Sequence, residues 1–304
     1  MNVVSHPAHR GSISLEDGTI LAHEAHAERQ FVLRIAAPKC AARAAPGSFV
    51  HLQVADAIPM RRPISLMRVD AKAGWIEILY KIVGPGLTAL SQRRVGETLS
   101  VLGPIGHGFT PHADRPRTLL IGGGVGIPPM VFLAETLRAD IAAGRGAWKP
   151  LVIMGSEIPF PFAARPSTIM VPGMPDGVIA AHPLLDAWGI PSRLATRAGF
   201  PGCHDGFVTD LAARWLDALD AAARAEIEVF ACGPTPMLEA VARLAARFSL
   251  PCQVSLEEFM ACAVGGCAGC VVKVTTAQGV AMKRVCVDGP VFDGYSVFDV
   301  AHDH

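Results

Sequence analysis

Four of the eight cysteines, Cys262, Cys267, Cys270 and Cys286, fall within 25 residues near the C-terminus, and no other feature narrows the possible folds as much. Their spacing, Cys-x4-Cys-x2-Cys followed after fifteen residues by a fourth, is that of plant-type [2Fe-2S] sites, where four thiolates hold two irons. The intervening Ala263-Val264-Gly265-Gly266 and Ala268-Gly269 are small or compact, which lets backbone N–H groups close on sulfur. Zinc is one alternative, but zinc sites usually carry two Cys-x2-Cys pairs and only Cys267 and Cys270 form one here. Unligated structural thiols are the other, and the iron-sulfur reading is favoured over both. Cys40, Cys203 and Cys252 read as small buried apolar residues.

A chain of 304 residues has room for two or three domains. Hydrophobic residues make up 51% and charged ones 18%, a balance that excludes simple disorder. Lys plus Arg (27) equals Asp plus Glu (27), so no basic surface for nucleic acid is expected. The mean hydropathy of +0.35 raises the membrane question. The longest uncharged apolar stretch, Leu119 to Ala134, contains four glycines and Pro128-Pro129 and falls short of the roughly 20 residues that span a bilayer. The first residues, MNVVSHPAHRGS, have polar and histidine interruptions where an export signal has an apolar core, so a cytoplasmic protein is expected. Clustered thiols in such a chain point to metal ligands before disulfides.

Three textures follow one another, giving expected segments 1–113, 114–250 and 251–304. In the first, short β-rich runs (31–36, 48–54, 64–69, 75–83, 98–102) separated by turn residues predict an antiparallel barrel or sandwich. Thr110 to Pro116 reads as a linker. In the second, an apolar strand at 117–121, a glycine turn and helical spacing over 129–139 begin an alternation of strands (150–154, 192–196, 226–230) and helices (210–219, 236–248). That pattern predicts a doubly wound parallel sheet covered on both faces. Residues 158–191, rich in Pro and Gly, receive no assignment. In the third, a cysteine-dense loop precedes a hairpin over 271–275 and 280–285.

Gly122, Gly123, Gly124 and Gly126 follow a strand and open a helix, which allows backbone N–H groups to approach a pyrophosphate; simple chain reversal is the plainer alternative. Cys232-Gly233 ends another strand and would face the same crevice, although Cys232 in isolation reads as a core thiol. Arg61-Arg62-Pro63-Ile64-Ser65 offers a guanidinium and a hydroxyl for a phosphate. Tyr80-Lys81 and the turn Gly84-Pro85-Gly86-Leu87-Thr88 add a hydroxyl, a cation and a second glycine turn; an ordinary basic β-turn is the alternative. Ser156-Glu157 offers a carboxylate with no Arg or Lys cluster near it in sequence, which favours NAD over NADP. His107 reads as a solvated turn residue, and His302 and His304 as tail.

Taken together, RRPIS (61–65), GPIGHGF (103–109), GGGVGIPP (122–129), ACGPTPML (231–238), SLEEFMAC (255–262) and VCVDGPVF (285–292) resemble the ferredoxin-NADP reductase superfamily. Within it the chain is most similar to the electron-transfer subunits of two-subunit dihydroorotate dehydrogenases, over nearly its whole length. The resemblance implies an FAD-binding β-barrel, a NAD-binding α/β domain and a C-terminal [2Fe-2S] segment. It implies that Arg62, Pro63, Ile64, Ser65, Leu79, Tyr80, Lys81, Gly86 and Thr88 hold FAD. The four glycines with Cys232 and Gly233 would bind the nicotinamide nucleotide, and no residue need be a general acid or base. Two departures stand out: Ile64 replaces the aromatic that stacks on the flavin in many relatives, and Leu87 separates Gly86 from Thr88, often adjacent in the family. The implied function is electron transfer between NAD+ and an FMN-containing dihydroorotate dehydrogenase catalytic subunit, in a heterotetramer serving pyrimidine biosynthesis. Another reductase of the superfamily (hydrogenase-linked, ferredoxin or oxygenase reductase) and a non-catalytic cluster or zinc module remain alternatives.

Overall fold

In the computed structural model, which describes residues 12–300, alternation of apolar side chains closes the first segment into a barrel. Its strands are β1 (Ser14–His26), β2 (Gln30–Ala36), β3 (Phe49–Gln53), β4 (Arg62–Asp70), β5 (Trp75–Lys81) and β6 (Thr98–Ile105), in the order β1-β2-β5-β4-β3-β6. Leu33 and Ile35, Val50 and Leu52, Ile64 and Leu66, Ile76 and Ile78, and Leu99 and Val101 point inward at period two and are buried. Two short helices, α1 (Pro38–Ala41) and α2 (Pro85–Ser91), sit in the connections.

The second segment is an α/β sheet. It contains β7 (Arg117–Gly123), α3 (Ile127–Ala142), β8 (Leu151–Gly155), the two-residue strands β9 (Arg165–Pro166) and β10 (Ala180–Ala181), and α4 (Pro183–Ala187). Then follow β11 (Ser192–Thr196), β12 (His204–Asp205), α5 (Val208–Asp217), α6 (Ala221–Ala225), β13 (Ile227–Cys232) and α7 (Thr235–Arg247). Pro128 and Pro129 occupy the first turn of α3, where no N–H partner is lost. Arg68 of β4 pairs with Glu135 of α3 at 2.9 Å and Phe132 enters the barrel core, which locks the sheet to the barrel.

The expected boundary at 250 needs correction. β14 (Cys252–Ser255) pairs in parallel with β13, and β17 (Val291–Asp293) pairs antiparallel with β14, giving a seven-stranded sheet β12-β11-β8-β7-β13-β14-β17. The hairpin β15 (Val271–Thr276) and β16 (Gly279–Arg284) and the cysteine loop therefore leave the sheet through one strand and return through another before α8 (Gly294–Val297). Nor is Thr110 to Pro116 a free linker. Gln253 bonds both Thr110 N and Thr110 O, and His112 donates its backbone N–H to the buried Glu228 at 3.0 Å. The unassigned 158–191 is ordered by its aromatics: Phe160 stacks on Phe162 at 5.2 Å and Phe162 lies 4.0 Å from His182, while Gln30 of the barrel donates to Pro159 O at 2.8 Å. Among the described residues no helix is long and apolar enough to cross a membrane; His302 and His304 lie outside them.

Candidate redox site

The cysteine loop between β14 and β15 has no regular structure, and its backbone turns instead around sulfur. Ala263 (φ 56°), Gly265 (φ 80°) and Ala268 (φ 53°) adopt the left-handed conformation, an uncommon choice for alanine. The result is a set of N–H donors aimed at thiols. Cys267 N lies 3.4 Å from Cys262 Sγ, Gly269 N 3.4 Å from Cys267 Sγ, and Cys286 N 3.5 Å from Cys270 Sγ. Burial raises the Cys262 thiol, but N–H groups of Val264, Cys267 and Gly266 outweigh it and bring the pKa down to about 7. At Cys286 burial and then the Cys270 thiol push it up to about 12.

The quartet is thus arranged as two pairs, Cys262 with Cys267 and Cys270 with Cys286, with Cys262 close enough to Cys286 for their charges to interact. Among the described residues no three such side chains converge as a single-ion site would require. Two thiols on each side suit a diiron centre with two protein ligands per iron. Cys270 and Cys286 are buried, Cys262 is half-buried and Cys267 is exposed, with Phe259 (93% exposed) and Val264 on the same loop.

On the barrel, the two arginines divide their tasks. Arg61 is structural, donating to His51 O (3.1 Å), Ser100 O (2.9 Å) and Ser100 Oγ (2.9 Å) across the neighbouring strands. Arg62 opens β4 and lies against Gly86: a methyl group there would fall 2.5 Å from Arg62 Nη2 and 2.6 Å from Cζ. Glycine at 86 is what admits the guanidinium beside the turn into α2. Pro63 and Ser65 stand opposite His51 and Phe49 of β3. Thr88 Oγ1 donates to Gly84 O at 3.0 Å, so Leu87 between Gly86 and Thr88 is absorbed by one helical turn.

Tyr80 does not offer its hydroxyl. Its ring is 2% exposed and stacked on Phe31 at 5.3 Å, and its oxygen lies 2.7 Å from His23 Nε2. Since His23 Nδ1 faces Arg93 O at 2.8 Å it carries the proton, and Nε2 accepts from the phenol. Leu79 is buried as well, while Lys81 at the end of β5 keeps partial exposure, so this strand meets a cofactor through its backbone and the lysine. Ile64, 7% exposed, fills the barrel core and presents no bare stacking face.

At the carboxyl edge of the sheet, Gly122 of β7 is paired with Cys232 of β13, which brings the glycine turn and Cys232-Gly233 together. A methyl at Gly126 would lie 2.5 Å from Gly233 N, so the turn into α3 nests directly on the end of β13. Gly123 and Gly233 both pack against Met237, and Gly124 (φ +55°) has open space where a side chain would stand. Such an edge, bare backbone opening into a helix, fits a pyrophosphate. Cys232 itself is fully buried among Ile127, Met130 and Phe230, and burial, then the Glu257 charge, hold its thiol well above the ordinary range. It is the core thiol that its isolated reading suggests; only its backbone borders the crevice. His107 is exposed, but its N–H is tied to Gly289 O at 2.6 Å.

Two residues escaped the sequence reading. His51 is fully buried between the barrel, Arg61 and the backbone of Met260 in the cysteine loop, and burial, then the Arg61 charge, lower its pKa to about 4. A polar residue inside the apolar run Phe49-Val50-His51-Leu52 was the available signal. Arg197 follows β11, which pairs with β8, so the absence of an arginine near Ser156-Glu157 holds in sequence only.

The family model for the iron-sulfur cluster binding domain of dihydroorotate dehydrogenase B matches residues 257–298. A Geobacillus thermodenitrificans protein described as dihydroorotate dehydrogenase B (NAD(+)), electron transfer subunit is 35% identical over 285 residues, covering 92% of this chain and 97% of the relative. One of the same description from Desulforamulus reducens is 30% identical over 287 residues, with the same coverage. Among solved structures, an NADH-dependent reduced ferredoxin-NADP oxidoreductase superposes with TM-score 0.71 at 26% identity, covering 92% of this chain and 89% of its own. The ferredoxin reductase in carbazole 1,9a-dioxygenase (TM-score 0.58, 20% identity, 79% of this chain and 67% of its own) shares the fold.

Proposed function

The chain belongs to the family of dihydroorotate dehydrogenase B electron-transfer subunits, and from that premise we propose that it passes electrons between NAD(H) and an FMN-containing dihydroorotate dehydrogenase subunit through FAD and a [2Fe-2S] cluster, in pyrimidine biosynthesis. The observation that carries the proposal is the quartet of thiols, gathered in two N–H-bonded pairs on a loop rooted in the dinucleotide sheet. Bound FAD would exchange hydride with a nicotinamide on one side and single electrons with the cluster on the other, a conversion no amino-acid side chain performs.

This chain's residues supply positions and electrostatics. Arg62, seated against Gly86, would neutralise the FAD phosphates; Pro63, Ile64 and Ser65 with Leu79 to Lys81 and Thr88 would frame the rest of the flavin. Gly122, Gly123, Gly124 and Gly126, with the backbone of Cys232-Gly233, would receive the dinucleotide. Cys262, Cys267, Cys270 and Cys286 would hold the irons, and loop N–H groups would stabilise sulfur charge. Exposed Cys267 beside Phe259 and Val264 marks the face at which a partner subunit would dock. A cytoplasmic setting suits the eight cysteines, all of them free. Residues 1–113, 114–255 with 291–300, and 256–290 serve as the flavin, nucleotide and cluster units.

The test is reconstitution with the FMN subunit. With FAD and iron fully loaded, dihydroorotate should reduce NAD+ in the pair and not with either subunit alone; no reduction in the loaded pair overturns the assignment.

A further inference from the structure

The segment that joins the barrel to the sheet and the two strands that root the cysteine lobe enclose a cleft of about 710 Å³, the size of a small-molecule site. It lies at the amino edge of the sheet, where β7, β13 and β14 begin, and the length of β7, roughly 20 Å, separates it from the glycine turn. The electron transfer described above does not use it. We propose that this cleft binds a phosphate monoester with a hydroxyl-bearing body, in chemical class a sugar phosphate.

A turn sets the anionic end. Arg115 N donates to His112 O at 2.9 Å, so the two side chains leave one turn of the chain. Arg115 is half-buried and anchored through Nη1 to Ala225 O at 3.0 Å and Ile227 O at 3.1 Å. Among the described residues its Nε and Nη2 meet no acceptor and no carboxylate comes within ion-pair distance, whereas the next cation, Arg117, is paired with Glu226 at 3.0 Å. A guanidinium fixed by backbone carbonyls, with two nitrogens unspent in a cleft, is a fork for an oxyanion.

His112 is held as firmly. Its backbone N–H and its Nδ1 both bond the Glu228 carboxylate, at 3.0 and 2.9 Å, and Gln253 Nε2 donates to the same carboxylate at 2.8 Å. The side chain of Glu228 has no exposed surface, so it orients the ring without meeting a ligand. With the Nδ1 proton given to the carboxylate, Nε2 is the polar atom that remains, on a side chain 58% exposed. Neutral, it accepts from the P–OH of a phosphate monoanion, whose last proton leaves near pH 6. A carboxylate has no such proton to give at neutral pH.

The other end of the cleft suits hydroxyls. Asp293 stands opposite Gln253 on the β14–β17 ladder, about 5 Å across. Its Oδ1 accepts from Tyr295 N at 2.9 Å, and its Oδ2 accepts from no described residue. Ser249, exposed on the same rim, adds a hydroxyl. Phe292 and Tyr295, both half-buried, supply a wall for the apolar face of a sugar, and the Tyr295 hydroxyl is fixed to Leu250 O at 2.5 Å. The Asp293 charge opposes a second phosphate at this end, which limits the ligand to one.

The test is calorimetric titration of the FAD- and iron-loaded protein with ribose 5-phosphate, in saturating NAD+ so that the opposite edge is occupied. One equivalent should bind per chain, and ribose, inorganic phosphate and malate should each bind at least about tenfold more weakly. Arg115→Gln and His112→Gln should each weaken ribose 5-phosphate about ten- to a hundredfold, the range for a hydrogen bond to a charged group. Unchanged flavin and cluster absorbance shows that a variant has folded, and His112→Gln, at an exposed ring, decides the matter if Arg115→Gln loses its cofactors. No binding by the native protein, equal binding of any of the three controls, or an affinity that survives the substitutions overturns the proposal.

Discussion

Cys262 of the cysteine loop and the thiols of the two cores are the same chemical group shifted in opposite directions. Cys232, Cys40 and Cys252 lie in regular structure, and burial drives each thiol upward, Cys40 to about 12. Cys262 lies in a loop that commits its N–H groups to sulfur, and its thiol falls to about 7. Burial alone does not separate ligand from core residue, since Cys270 and Cys286 are as buried as Cys232. What sets Cys262 apart is the number of donors on its sulfur, the N–H groups of Val264, Cys267 and Gly266 together with the Cys267 thiol, against the Gly233 N–H and the Ser255 hydroxyl at Cys232.

The strongest challenge to this contrast is Cys267→Ser. It should abolish the visible absorbance of the cluster and drop iron from about two per chain to background, while FAD content and NADH-dependent dye reduction persist. The same exchange at Cys232 should leave the cluster spectrum intact, and a cluster lost there would erase the distinction. Next in size, Gly126→Val should weaken NADH binding roughly a hundredfold, about 3 kcal/mol, because a side chain at 126 meets the backbone of Cys232-Gly233 and lifts the turn off β13. An unaltered NADH dissociation constant in that variant would remove the backbone cradle from the nucleotide site.

The smallest effect concerns pH. His51 beside the cysteine loop and His182 beside Phe162 are buried neutral, each lowered from 6.5 to about 4, chiefly by burial. Between about pH 6.5 and 4 the unfolded chain binds the protons that the folded chain refuses, so stability should fall as pH falls, by on the order of 2 kcal/mol per imidazole. Urea midpoints at about pH 7 and about pH 4.5 measure it, and His51→Phe should flatten the slope by about half. A slope identical in the variant would mean that His51 does not carry it.

What the sequence displayed was whatever repeats locally: period-two barrel strands, the strand-turn-helix at 117–142, and the cysteine spacing. The exposed edge of β1 hid it, since only Gly18 and Ile20 of Ser14–His26 are buried. The tract 156–191 stayed opaque because aromatic contacts order it, with Phe160 reaching Phe200 at 6.4 Å, and so did the pinning of Thr110 to Pro116 by Gln253 and Glu228, both more than a hundred residues away. At the site, Arg62 and the glycines announced themselves, whereas the commitment of Tyr80 to His23 and the nearness of Arg197 to Ser156 depend on strand order, which spacing does not encode.

The cysteine lobe departs from β14 and comes home through β17, two strands bonded to one another within the nucleotide sheet. A lobe hung by one tether could pivot; one stitched at both ends has its orientation set by ladder bonds. The gap an electron must tunnel across is therefore fixed when the sheet folds, and the lobe cannot be cut out and grafted elsewhere without taking a sheet edge with it.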